Sequence, residues 1–154
     1  MSLKRYSNHS LIRVDDRLIH GQVSVGWAPR VCADHMIIAD DEIASSEEDS
    51  QLFLLGVPFD CAGRALSIKD AAAFIKKHSK ERYIVVMRSI RAAYELMKAG
   101  SEFKELNIGG LHAEENKKEV LHYIFLDKED IALIKKIERS GVHVYIQDLP
   151  SNTK

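Results

Sequence analysis

Strand-like apolar runs alternate with charged, periodic segments along almost the whole chain, and this alternation limits the fold more than any other feature. The apolar runs lie at Leu11–Val14, Met36–Ala39, Arg64–Ile68, Tyr83–Met87, Glu105–Ile108, Leu121–Leu126 and His143–Ile146. Helical patterns fall between most of them, at Gln22–Trp27, Ala44–Leu55, Lys69–His78, Ile90–Lys98 and Lys128–Arg139. Strands joined through helices of this length build right-handed βαβ units. The expected fold class is therefore α/β, a mostly parallel doubly wound sheet of about seven strands with helices on both faces. Local signals agree with several boundaries: Pro29 should stop the first helix, Asp127 with Asp130 should cap the last one, and Gly100 and Gly141 should end two others.

At 154 residues, 45% hydrophobic and with a formal net charge of -1, the chain can bury one sizeable core. Residues 1–10 read as an N-terminal tail and 11–154 as a single domain. The basic residues are scattered, in pairs such as Lys76-Lys77, Lys117-Lys118 and Lys135-Lys136 that suit the wet faces of helices, so nothing favours a nucleic-acid partner. No apolar run approaches the roughly 18 residues that span a bilayer, and the first residues lack the apolar centre of a signal peptide, so a cytoplasmic location is expected. Cys32 and Cys61 lack C-x-x-C spacing and read as free, buried or half-buried thiols. No histidine pair has the i, i+4 spacing of a helical metal site, so no metal and no cofactor are expected.

The chemistry concentrates in R-V-D-D-R-L-I-H-G-Q-V, residues 13 to 23. Asp15 to His20 reads as a strand-to-helix turn with His20 near a helix N-terminus, where unpaired N–H groups favour an anion. Gly21 has no Cβ to obstruct a phosphate, and Gly21, Gln22 and Val23 can offer backbone donors. A neutral imidazole attacks phosphorus well when its second nitrogen is held by an acceptor, which Asp15 or Asp16 can supply. Alternation along the extended chain puts those two carboxylates on opposite sides. Asp15, closer to the sheet edge, is the better placed to orient His20, with Asp16 freer to cap the helix. Arg17 can fork onto phosphoryl oxygens as charge builds. If the strand Tyr83–Met87 neighbours the first, Arg88 and Ser89 at its end share the crevice and join the phosphate-binding set; their plainer reading is a capped helix start.

The string D-D-R-L-I-H-G-Q-V resembles the signature of the IIB subunits of the mannose/fructose/sorbose family of the sugar phosphotransferase system. I-I-A-D-D-E-I-A at 37 to 44, L-N-I-G-G at 106 to 110 and G-V-H-V-Y-I-Q-D-L-P at 141 to 150 look like further blocks of that family in the same order. The resemblance implies a phosphoryl carrier in which His20 takes phosphate from a IIA phosphohistidine and passes it to a sugar during uptake. It implies membrane IIC and IID permease subunits as the other partners, peripheral membrane association, a plausible homodimer, and phosphate on Nδ1 with Nε2 left for Asp15 or another acceptor. The particular sugar, whether mannose, fructose, sorbose or an amino sugar, stays open.

Two other readings compete. An acidic pair after the first strand of a small α/β domain can hold a divalent cation, as in receiver-like signalling domains, but that leaves His20 unexplained and no Lys ends the strand Glu105–Ile108. A nucleotide-binding module would need a glycine-rich phosphate loop after a strand, and none follows any of them. Gly109-Gly110 fits either a tight turn or a place where a ligand approaches the backbone.

Overall fold

The computed structural model describes residues 10–150; the tail expected at 1–10 lies outside them except for Ser10. Six strands, β1 (Leu11–Asp15), β2 (His35–Ala39), β3 (Ala62–Leu66), β4 (Tyr83–Met87), β5 (Glu105–Gly110) and β8 (His143–Ile146), form one sheet in the order β3-β2-β4-β1-β5-β8. Every adjacent pair is parallel. The mostly parallel, doubly wound architecture is thus the expected one, with six strands in the main sheet in place of about seven. The run expected as a single strand at 121–126 folds back on itself, because β6 (Lys118–Leu121) and β7 (Ile124–Leu126) form an antiparallel hairpin outside the main sheet. Tyr123 takes a left-handed φ of 58° in its turn.

Helices depart from expectation where a local cap or proline acts differently. The first helix is π-helical over α1 (Gln22–Trp27) and runs directly into α2 (Ala28–Val31), with the Ala28 N–H donating to the Val23 carbonyl. Pro29 does not stop it, because it falls in the first turn of α2, where a missing N–H is not needed. Cys32, at φ 55°, ends it instead. The helix expected at 44–55 is two, α3 (Asp41–Ala44) and α4 (Glu47–Leu54), since Asp40 and Ser46 each cap a new start. By contrast, α5 (Ile68–Lys77) is close to its expected bounds, and α6 (Ile90–Lys98) and α7 (Lys128–Arg139) match theirs. Asp127 and Asp130 form the capping box on α7. Gly100 and Gly141, both at φ 100°, follow α6 and α7.

Period-two alternation sends successive strand residues to two separate cores. Ile12, Val14, Ile37, Val85, Met87, Leu106 and Ile108 pack against α5, α6 and α7 on one face. Leu11, Met36, Ile38, Ile84 and Val86 pack against Val23, Trp27, Ala28 and Val31 of α1 and α2 on the other. β1 lies between β4 and β5, so its C-terminal end opens over the middle of the sheet's upper edge, where ligands of such folds gather. No helix among the described residues is long and apolar enough to cross a membrane.

Candidate active site

The same alternation turns Arg13 and Asp15 together toward α1 and α2, and both are fully buried. An isolated buried charge is prohibitively costly, so the two must be paired and hydrogen-bonded. Arg13 Nη2 donates to Asp15 Oδ2 at 3.0 Å, and Nη1 donates to Asn107 Oδ1 at 2.6 Å and to the Gln147 carbonyl at 3.0 Å. Its guanidinium lies 5.6 Å from the centre of the Trp27 ring and against Gly109, where a Cβ would fall 2.0 Å from the Arg13 Cζ. Gly109 and Gly110 therefore belong to β5 rather than to a turn, and the group that approaches the bare backbone at Gly109 is this guanidinium.

Asp15 is the hub. Arg17 doubles back onto it, its backbone N–H and Nε donating to Oδ1 at 3.1 and 3.0 Å and its Nη2 to Oδ2 at 2.9 Å. His20 Nε2 completes the set at 3.1 Å from Oδ2. Burial alone would push the Asp15 carboxyl up; hydrogen bonds from His20 and Arg17 and the charge of Arg13 outweigh it and hold its pKa well below the usual carboxylate range. Asp15 is ionised at neutral pH and can only accept, so Nε2 of His20 must carry the proton. The lone pair is then on Nδ1, which faces the Gln22 backbone N–H at 3.4 Å. Arg17 is pushed up chiefly by its bond to Asp15. The Gln22 side chain ties the two guanidinia together, Oε1 accepting from Arg13 Nη2 at 3.3 Å and from Arg17 Nη2 at 2.8 Å.

Of the residues singled out in the sequence, the structure brings together Asp15, Arg17, His20 and Gln22, with Gly21 exposed beside them and open space where its Cβ would be. The Val23 N–H is not available to an anion, because it donates to the His20 carbonyl at 3.0 Å. Asp16 does not cap the helix: its carboxylate accepts from the His112 N–H at 2.7 Å and meets His112 Nδ1 at 2.5 Å, tying the loop after β1 to the end of β5. β4 does neighbour β1, yet Arg88 turns away to Asp40, at 2.6 and 3.0 Å, and to Glu42 at 3.1 Å. Ser89 accepts from the Ala92 N–H as the cap of α6. A divalent cation between Asp15 and Asp16 has no place here, since one carboxylate is saturated by guanidinia and the other is engaged by His112. Arg13, Asn107 and Gln147 were not singled out in the sequence. The available signal was an arginine inside an apolar strand, two residues before an aspartate on the same face.

The family model for the sorbose-subfamily IIB component of the phosphotransferase system matches residues 9–154. N-acetylgalactosamine-specific phosphotransferase enzyme IIB component 1 of Escherichia coli K12 is 31% identical over 151 residues, covering 96% of this chain and 94% of that protein. The sorbose-specific EIIB component of Lacticaseibacillus casei is 30% identical over 135 residues, covering 86% and 82%. The crystal structure of the N-acetylgalactosamine-specific IIB component 1 from Escherichia coli superposes with a TM-score of 0.87 at 28% identity, over 95% of this chain and 97% of that one.

Proposed function

The chain belongs to the sorbose-subfamily IIB components of the sugar phosphotransferase system, and from that premise we propose that Nδ1 of His20 is the atom on which it carries phosphate. As a member it is a phosphoryl carrier of sugar uptake, and IIB components in general work with a IIA donor and membrane IIC and IID subunits. The observation that carries the assignment is the His20 Nε2 contact with the ionised Asp15 at 3.1 Å, which fixes the proton on Nε2 and leaves Nδ1 nucleophilic.

In this reading one N–P bond forms at His20 as another breaks on the IIA phosphohistidine, so both states hold a phosphoramidate and the transfer is reversible. Asp15 stabilises the positive charge that develops on the imidazole. Arg17, about a third exposed at the mouth of the site, meets the phosphoryl oxygens with the edge of its guanidinium that Asp15 leaves over. The Gln22 N–H, released from Nδ1, and the open approach at Gly21 complete the phosphate site. Arg88 and Ser89, committed to an ion pair and a helix cap, stand outside it. The second transfer delivers phosphate to a sugar held by IIC and IID, and residues 11–154 act as one domain in both encounters, on the cytoplasmic side of the membrane.

The donor needs a face around His20. Exposed Val25 on α1 and exposed Leu55, next to Gly56, which packs on Ile19, are apolar residues near that loop. We place IIA docking there, and any homodimer contact elsewhere. The test is incubation with phosphoenolpyruvate, the general phosphotransfer proteins and a IIA. Acid-labile, base-stable label on the wild type and none on His20→Ala is the expected result. Label persisting in that variant, or base-labile label on an aspartate, overturns the assignment.

A further inference from the structure

At the opposite edge of the sheet from His20, the strands begin rather than end, and a side chain from the start of β2 converges there with two from the α5–β4 connection. His35 opens β2, His78 caps the C-terminus of α5, and Glu81 sits in the turn before β4. Glu81 bridges the two rings, with Oε1 3.0 Å from His35 Nε2 and Oε2 in contact with His78 Nδ1. The three ligating atoms all lie within 4.8 Å of one another. With β1 and β2 each rising about 3.3 Å per residue, this cluster stands a full strand length from the phosphate site.

We propose that His35 Nε2, His78 Nδ1 and the Glu81 carboxylate form a binding site for a zinc-class divalent cation, with water as the fourth ligand. Two imidazoles and one carboxylate are the donor set that suits a borderline-soft ion in tetrahedral geometry. Oxygen-seeking magnesium and calcium want more carboxylates and carbonyls than are present. Tetrahedral zinc bonds of about 2.0 to 2.2 Å set the donors roughly 3.3 Å apart, so the Glu81 carboxylate must draw back a little from the two rings to admit the ion, which rotation of its exposed side chain supplies.

The frame around the donors is fixed, which separates this cluster from a chance surface pair. Phe74 of α5 stacks on His78, ring centres 4.1 Å apart, and meets His35 edge-on at 5.1 Å, so both imidazoles rest against one ring. The His35 N–H donates to the Arg82 carbonyl at 3.2 Å, and the Glu81 N–H to the His78 carbonyl at 3.0 Å. A bound ion would staple the end of α5 and the α5–β4 turn to the start of β2. Because the donors are separated by dozens of residues, and His78 and Glu81 by three, the helical i, i+4 spacing sought in the sequence cannot reveal them.

The test is titration of chelator-stripped, full-length protein with zinc chloride, followed by calorimetry and thermal unfolding, with cobalt(II) as a spectroscopic stand-in. One ion per chain, a raised Tm and the visible bands of tetrahedral cobalt are expected. His78→Ala and Glu81→Gln lie at the surface and should fold; each should weaken zinc binding by at least the roughly 10- to 100-fold that losing even an outer partner of a metal ligand costs. His20→Ala should bind zinc as the wild type does. Absence of stoichiometric binding, binding unaffected by His78→Ala, or binding abolished by His20→Ala each overturns the proposal, the last by moving the ion to the phosphate site. Phosphorylation of His20 is scored separately, so failure here leaves the carrier reading intact.

Discussion

A buried guanidinium against a bare backbone is the most exacting residue-level feature of the protein. The phosphate site stands on Asp15, Asp15 is held in part by Arg13, and Arg13 fits only because position 109 has no side chain. Gly109→Ala should therefore expel the guanidinium from its place beside Asp15 and Asn107. Removing one partner of a buried ion pair costs about 3 to 5 kcal/mol, and an added methyl in a filled core adds its own strain. The expected result is a variant destabilised by about that amount in denaturant unfolding and defective in His20 phosphorylation. Gly110→Ala is the control: its Cβ would come within 3.1 Å of Arg17 Nη2, the end of a long side chain that can shift, and within 3.5 Å of Asp15 Oδ1, an ordinary contact. Equal stability of wild type and Gly109→Ala would refute this account of the glycine. At Arg17 the expectation is reversed, with chemistry affected more than folding. Lysine cannot reproduce the planar fork that Asp15 and Gln22 hold, so Arg17→Lys should slow phosphotransfer by about 10² to 10³, the usual cost of a lost transition-state donor. Asp15 keeps Arg13 and His20 in that variant, so unfolding should change little. Transfer within a factor of about two of wild type would reduce Arg17 to a surface residue.

At the scale of elements, what the sequence discloses depends on whether the cause is local. α6 and α7 begin and end where their caps and glycines say, because Ser89, Asp127, Gly100 and Gly141 act on backbone within a few residues. Asp127→Ala should accordingly cost about 0.5 to 2 kcal/mol, the range for a lost N-cap, and leave phosphotransfer unchanged, since α7 lies on the face of the sheet away from α1. A urea titration beside a transfer assay checks both halves, and impaired transfer in that variant would contradict the separation of the two faces. Elements shaped by tertiary contacts are not legible in this way. The stretch at 121–126 looks like one apolar run until the turn at Tyr123 is seen, and Pro29 breaks a helix or begins one depending on where the preceding turn stands. The site divides along the same line. Asp15, Arg17 and His20 are neighbours in one hexapeptide, so their convergence could be read from spacing. Asn107 and Gln147 reach Arg13 only through the parallel register of β1, β5 and β8, which no local pattern encodes. Arg88 shows the converse: β4 does lie beside β1, the condition set for it, but nothing local showed that Asp40 and Glu42 would take its guanidinium.

For the whole molecule, the central network couples stability to pH with a definite sign. Asp15 is buried in the folded protein with its pKa held below the ordinary carboxylate value of about 3.9 that it regains on unfolding. A depressed folded pKa contributes stability that is fully present above the unfolded value and is lost as pH falls through the window between the two. In that window the unfolded chain binds a proton that the folded one refuses, so acid pulls the equilibrium toward unfolding. Asp15→Asn removes this coupling and also leaves Arg13 buried without its counter-charge, a loss of about 3 to 5 kcal/mol near neutral pH. The stability gap between wild type and Asp15→Asn should therefore be greatest and flat from neutral down to about pH 5, then narrow as the medium approaches pH 3, where wild type surrenders what the variant never had. Urea unfolding of both proteins across that range measures the gap directly. A gap that stays constant into acid would mean that the ionisation of Asp15 does not support the fold, and that the guanidinia around it are held by Asn107, Gln22 and the Gln147 carbonyl alone.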